Sequence, residues 1–202
     1  NPELYFQVKT WTGTGSSNAL TLDGDEDMQP DLVWIKSRSD AQSNNVYDAV
    51  RTAGKTLFTD ASNAEDTHTD RLTAFGSDGF TVVSDNAVNG SSKTYVAWCW
   101  KANGSGSANT AGSRDTTATS ANTTSGFSIC TLTTEDADQA DTYGHGLGVV
   151  PTFIIAKTRS SSNSWFVYHE DAGNDKILKL DTNAAEASNT MWNDTTPTNA
   201  LF

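Results

Sequence analysis

Cysteine, proline and basic residues are all scarce in this 202-residue chain, and each scarcity excludes something. Two cysteines, Cys99 and Cys130, are too few for a disulfide framework or a zinc site and can form one bridge at most. Cys99 lies between Trp98 and Trp100 in a strand-like run and is expected to be a small buried hydrophobe. Thirteen Lys and Arg stand against 25 Asp and Glu, a net charge of −12. That balance excludes a nucleic-acid binder working by phosphate neutralisation and argues against an anionic membrane surface as partner. No apolar run approaches the roughly 20 residues of a spanning helix, so a soluble chain without membrane insertion is expected. Four prolines, 19% charged residues and abundant Thr, Ser, Asn and Gly suit an extracellular β-rich protein better than a cytosolic α/β enzyme. With no initiator methionine and no signal peptide, the expectation is either a processed start or a fragment.

What the sequence does contain is an internal repeat, at an offset of 121 residues. The anchor is Pro30 to Ser39, PDLVWIKSRS, against Pro151 to Ser160, PTFIIAKTRS. Val46-Tyr47 then meets Val167-Tyr168, and Lys55, Leu57, Asp60, Ala64 and Glu65 meet Lys176, Leu178, Asp181, Ala185 and Glu186. Backward, Phe6 matches Phe127 and Val8 matches Ile129. The expected organisation is repeat one over 1–101, a linker over 102–125 with no aromatic or large aliphatic residue, and repeat two over 126–202.

By the same offset Phe202 corresponds to Thr81, so repeat two has no equivalent of Val82 to Trp100, a stretch dense in apolar and aromatic residues. A β-domain without a core strand exposes an apolar groove and an unpaired edge, and something must cover them. Three covers are open. The chain can be truncated, the two repeats can share one sheet system, or another copy can donate a strand. For donation, Leu4 to Trp11 is the obvious donor, with Leu4, Phe6 and Val8 filling pockets of an acceptor groove lined by Phe153, Ile155, Phe166 and Tyr168. Such a head-to-tail contact does not close and makes filaments, so the partner expected is the chain itself, as a homo-oligomer or helical polymer.

Runs rich in Val, Ile, Thr, Phe, Tyr and Trp predict strands over 5–10, 31–37, 79–83, 94–101, 127–133, 152–157 and 164–168. Asp31 to Ile35 is apolar without alternation, which predicts a strand buried on both faces. Asn63 to Phe75 and Ala184 to Trp192 hint at a short helix or turn. The fold class is all-β: two tandem jelly-roll-like β-sandwich repeats, the second lacking its final strands.

The segments TWTGTGSSNALTL, PDLVWIKSRS, NNVYDAVR, DGFTVVSD and YVAWCWKANGSG, followed by Gly126-Phe127-Ser128-Ile129 and by Gly144-His145-Gly146-Leu147-Gly148-Val149-Val150-Pro151, cover nearly the whole chain. In this combination the chain resembles an uncharacterised repeat family of tail-fibre-like and other large virion surface proteins of aquatic bacteriophages. The resemblance implies an extracellular or virion-surface fibre component with lectin-like sandwich folds, and no established activity. Relatives usually continue past the point equivalent to Phe202, which favours truncation.

Other candidate sites are weaker. Asp23, Asp25 and Asp27 have the alternating oxygens of a Ca2+ loop but lack a later bidentate Glu, and a solvated acidic turn explains them better. Glu65, Asp66, His68 and Asp70 form a charge run of the kind usually found on an exposed loop. His68, His145 and His169 are scattered and no nucleophile elbow accompanies them, so no enzyme, no catalytic residue and no cofactor is expected; His145, between glycines, shapes a turn. Trp11, Trp34, Trp165 and Trp192 could stack on sugars or belong to the core. Sequons begin at Asn89, Asn103, Asn122 and Asn193. The function expected is a structural subunit of an extracellular fibre; the alternative is a carbohydrate-binding adhesion module that recognises surface glycans.

Overall fold

The computed structural model describes residues 1–134 and 140–202, and the fold is all β. Among the described residues the helical structure is one 3-10 turn, Pro2–Leu4, with the Asn1 side chain accepting the Glu3 N–H as its cap. The chain forms two compact units. The first comprises Asn1–Thr59 and Glu65–Ser105; the second comprises Asp60–Ala64 and Gly106–Phe202.

The first unit carries β1 (Phe6–Thr12), β2 (Asn18–Thr21), β3 (Leu32–Ser37), β4 (Asn45–Asp48), β5 (Lys55–Phe58), β6 (Asp66–Thr67), β7 (Leu72–Gly76), β8 (Gly79–Val82) and β9 (Thr94–Trp100). Six of them form one antiparallel sheet in the order β1-β9-β3-β4-β5-β6, and the other three form a second in the order β2-β8-β7. Strict alternation along β9 sends Tyr95, Ala97 and Cys99 inward, where they meet Val33, Ile35, Tyr47 and Trp11 from neighbouring strands. Leu20, Leu72, Phe80 and Val82 of the smaller sheet close this core from the other side, making a sandwich. Trp11 stacks on Tyr95 at 5.3 Å and meets Phe80 edge-on at 5.8 Å. The β7–β8 hairpin turns through Gly79 at φ +127, where a Cβ would lie 1.9 Å from the Leu20 carbonyl oxygen; only glycine fits.

The second unit carries β10 (Ala118–Asn122), β11 (Phe127–Thr131), β12 (Phe153–Ala156), β13 (Phe166–His169), β14 (Lys176–Lys179) and β15 (Ala187–Ser188). They form a β10-β11 ribbon and a β12-β13-β14-β15 sheet. Strands β11 to β15 begin 121 residues after β1, β3, β4, β5 and β6 respectively. The registers shift together as well: Leu32↔Asp48 becomes Phe153↔His169, Val46↔Leu57 becomes Val167↔Leu178, and Lys55↔Thr67 becomes Lys176↔Ser188.

Several expectations need correction. Residues 102–125 are not a bare linker: β10 lies within them, Ser120 and Thr116 are buried, and Thr119 donates to the Gly144 carbonyl at 3.2 Å. Thr, Ser and Asn hide this strand because its stabilisation is backbone pairing to β11 rather than an apolar stripe. Neither Asn63 to Phe75 nor Ala184 to Trp192 holds a helix: they carry β6, most of β7, and β15, with a turn opening at Met191. Strand β3 is fully buried on one face, through Val33, Ile35 and Ser37, and half-buried on the other.

Candidate functional site

Two strands end their sheets with apolar side chains in water. Seven large hydrophobic residues stand exposed among the described residues, and six of them belong to these edges: Phe6 and Val8 on β1, and Val149, Val150, Phe153 and Ile155 on or just before β12. Exposed apolar residues scattered singly are ordinary, but a run of them along unpaired backbone is a pairing template.

Strand β1 is bound on one side only. Seven residue pairs, from Phe6↔Trp100 to Thr12↔Thr94, tie it to β9, while its other side has no strand among the described residues. Phe6 packs on Trp100 at 5.0 Å and remains 39% exposed. Behind it Gln7 is buried as a clamp, its Nε2 donating to the carbonyls of Glu3 and Glu26 and its Oε1 accepting the Gly24 N–H, all at 2.9 Å. A Cβ at Gly24 would meet that side chain at 2.6 Å, so a larger residue there would push the Gln7 amide aside. Glu3, Phe6, Gln7, Val8, Asp23 and Gly24 line an open pocket of about 320 Å³. Sequence reasoning missed Gln7, because a polar residue between two apolar ones reads as solvent-facing.

The expected donor role of Leu4, Phe6 and Val8 needs restating in this light. Leu4 belongs to the 3-10 turn, and Phe6 and Val8 lie on a strand already paired within its own sheet, so the segment is not free to fill distant pockets. What it offers outward is its edge.

Strand β12 is the open end of the second unit's sheet. Its counterpart β3 is flanked by β9 and β4, but among the described residues no counterpart of β9 stands beside β12. The pairing of β12 with β13 puts Phe153 and Ile155 on one face with His169 and Val167, and Ile154 and Ala156 on the other with Tyr168 and Phe166. The four expected acceptor residues therefore do not line one groove. Phe153 and Ile155 are 53% and 38% exposed, whereas Tyr168 is buried and meets Trp192 edge-on at 5.8 Å. The side-chain period of two separates residues that sequence alone groups by hydrophobicity.

The acidic turn gathers no cation site. Asp23 pairs with Lys9, the Asp25 N–H donates to Glu3, and among the described residues no three His, Cys, Asp or Glu converge to hold a metal. Glu65 pairs with Arg51 at 3.1 Å, while His68 faces Asp66 and Asp70 at 3.2 and 3.7 Å. His145 is buried and does shape the turn: Nδ1 accepts the Leu147 N–H, which leaves Nε2 to donate to the Thr198 carbonyl at 3.1 Å. Gly144 pairs with Leu201, and the Phe202 ring sits 6.2 Å from Tyr143.

Both cysteines are free thiols. Burial pushes Cys99 up to about 12 and raises Cys130 as well, the latter opposed by hydrogen bonds with Thr119 and Ser128. Of the sequons, Asn89 is contradicted: it is fully buried, with Nδ2 donating to the Ser16 and Val83 carbonyls and to Thr14 Oγ1, so no amide hydrogen is open to a sugar. Asn103 and Asn193 are exposed and Asn122 half-buried. Trp11 and Trp165 are buried, Trp34 packs edge-on against Trp98 at 6.3 Å, and Trp192 donates to the Lys176 carbonyl. The exposed aromatic rings are Phe6 and Phe153 instead.

No helix among the described residues is long and apolar enough to cross a membrane. No curated protein and no solved structure matches the chain. A family model does match, over residues 1–202, and the chain therefore belongs to the family described as a domain of unknown function, DUF7483.

Proposed function

We propose that this chain is a structural subunit that assembles with copies of itself by adding a strand to the β12 edge, building an extracellular fibre or filament, alone or within a virion tail fibre. The observation that carries the reading is the contrast between β3, covered by β9, and β12, which repeats the pairings of β3 with β4 but among the described residues has no strand on its outer side. A further strand there satisfies the free backbone groups and takes Phe153 and Ile155 out of water. The occupant is a second copy, because the chain carries its own complementary apolar edge at β1. A subunit with one such edge at each of two different places makes a heterologous contact, and that contact repeats without closing. The role is structural rather than enzymatic.

The test is negative-stain electron microscopy of the full chain beside Ile155→Lys at equal concentration. Filaments from the first and dispersed particles from the second support the reading. Dispersed particles from both, or filaments from both, overturn it.

A second reading is favoured by one observation: the open pocket beside Phe6 pairs an exposed ring with the carboxylates of Glu3 and Asp23, an arrangement that suits a neutral sugar ring. Binding of neutral glycans by the monomer, lost in Phe6→Ala, would establish a carbohydrate-binding module; a blank glycan array would remove it.

A further inference from the structure

We infer that the strand covering β12 is β1 of a second copy, joined edge to edge while β1 stays in its own sheet, with Phe6 opposite Ile155 and Val8 opposite Phe153; this rests on the assembly reading above. The face relations select this register. Within the first unit, Phe6, Trp100 and Leu32 already lie in one cross-strand row, and Val8, Trp98 and Trp34 in the next. Within the second, Ile155, Val167 and Leu178 form a row, with Phe153 and His169 in the next. Antiparallel pairing of β1 with β12 joins each row to its neighbour, so the four exposed apolar side chains meet on one face of a continuous sheet.

Alternative pairings do less. Two β12 edges facing each other leave Phe6 and Val8 in water, and two β1 edges leave Phe153 and Ile155 there; β1 against β12 covers both with a single kind of contact. The strand is also prepared for the encounter. Gln7, pinned by Glu3, Gly24 and Glu26, fixes β1 to the acidic turn, and the open pocket that Phe6 and Val8 help line gives the incoming side chains a seat.

The experiment mixes two full-length variants, Val8→Cys and Phe153→Cys, and treats them with a short thiol-to-thiol crosslinker, while sedimentation velocity on the same samples reports assembly. The wild-type chain, with only Cys99 and Cys130, is the blank. The expected result is a covalent dimer that forms in the mixture at least tenfold more than in either variant alone. The pair Phe6→Cys and Ile155→Cys repeats the test should one variant fail to fold by circular dichroism. Assembly without a crosslink in either mixture, or strong homodimers of one variant alone, overturns this pairing and leaves the assembly reading standing. Absence of assembly by the wild-type chain overturns both.

Discussion

Ile155 stands 121 residues after Trp34 and holds the same place in its sheet, yet the two side chains have opposite fates. Trp34 lies against Trp98 at 6.3 Å, on the strand that flanks it; Ile155 has no strand on its outer side among the described residues and stays 38% exposed. One chain thus displays both the completed edge and the incomplete one.

The completed edge can be opened. Trp98→Ala removes the ring that covers Trp34 and weakens the β9 contact on that face. A loss of about 2 kcal/mol is expected, below the range for a fully buried tryptophan because Trp98 is half-buried. Urea unfolding followed by tryptophan fluorescence measures it, and an unchanged midpoint would show that the outer face of β9 contributes nothing.

A buried ion cluster distinguishes the two units. Arg51 donates from Nε to Asp48, from Nη1 to Glu65 and from Nη2 to the Val46 carbonyl, with both carboxylates almost fully buried. The residues 121 positions later than Asp48 and Arg51 are His169 and Ala172. Arg51→Ala strands two carboxylates, and a loss of about 3–5 kcal/mol is expected. Replacing Arg51, Asp48 and Glu65 together by apolar residues of similar volume is expected to cost less than the single change, which calorimetry of both variants checks.

Asn89 ties three segments together, accepting the Thr14 N–H while donating to the carbonyls of Ser16 and Val83. Asn89→Ala removes these hydrogen bonds from a buried side chain and is expected to cost about 1–3 kcal/mol. For the same reason an intact mass from a glycosylating host is expected to show no glycan on the peptide containing Asn89. A modified Asn89 would contradict the placement of its side chain.

The thiols give a pH-dependent readout. Cys99 has its acidity weakened by burial to about 12, so in the folded chain it is expected to resist a thiol reagent at pH 8 and to react on unfolding. The sign for stability follows from linkage. With the folded value above the unfolded one, the unfolded state releases its proton first as pH rises, so this contribution is intact below the ordinary thiol range and is lost toward pH 12. Prompt labelling of Cys99 in native buffer would contradict it.

Much of this fold is legible in the residues, and the illegible parts share a cause. Strands β1, β3, β9 and β11 to β13 announce themselves through Val, Ile, Phe, Tyr and Trp. Strand β10 does not, since Ala118, Thr119, Ser120, Ala121 and Asn122 carry no large apolar side chain and are held by pairing with β11. The edge was partly legible, since the offset of 121 residues sets β12 against β3. Which side chains share its face was not, because Phe153 and Ile155 part from Phe166 and Tyr168 only once the register with β13 is known. Gln7 was hidden for the converse reason, a polar residue buried by three backbone partners far along the chain.

Amide hydrogen exchange of the peptide spanning Phe153–Ala156, followed across a concentration series in which particle mass is recorded, interrogates the open edge itself. Protection there is expected to rise with particle mass, while the β3 peptide spanning Leu32–Ser37 is protected at every concentration and Ile155→Lys abolishes the rise. Particles that grow while exchange at Phe153–Ala156 stays fast would contradict strand addition at β12.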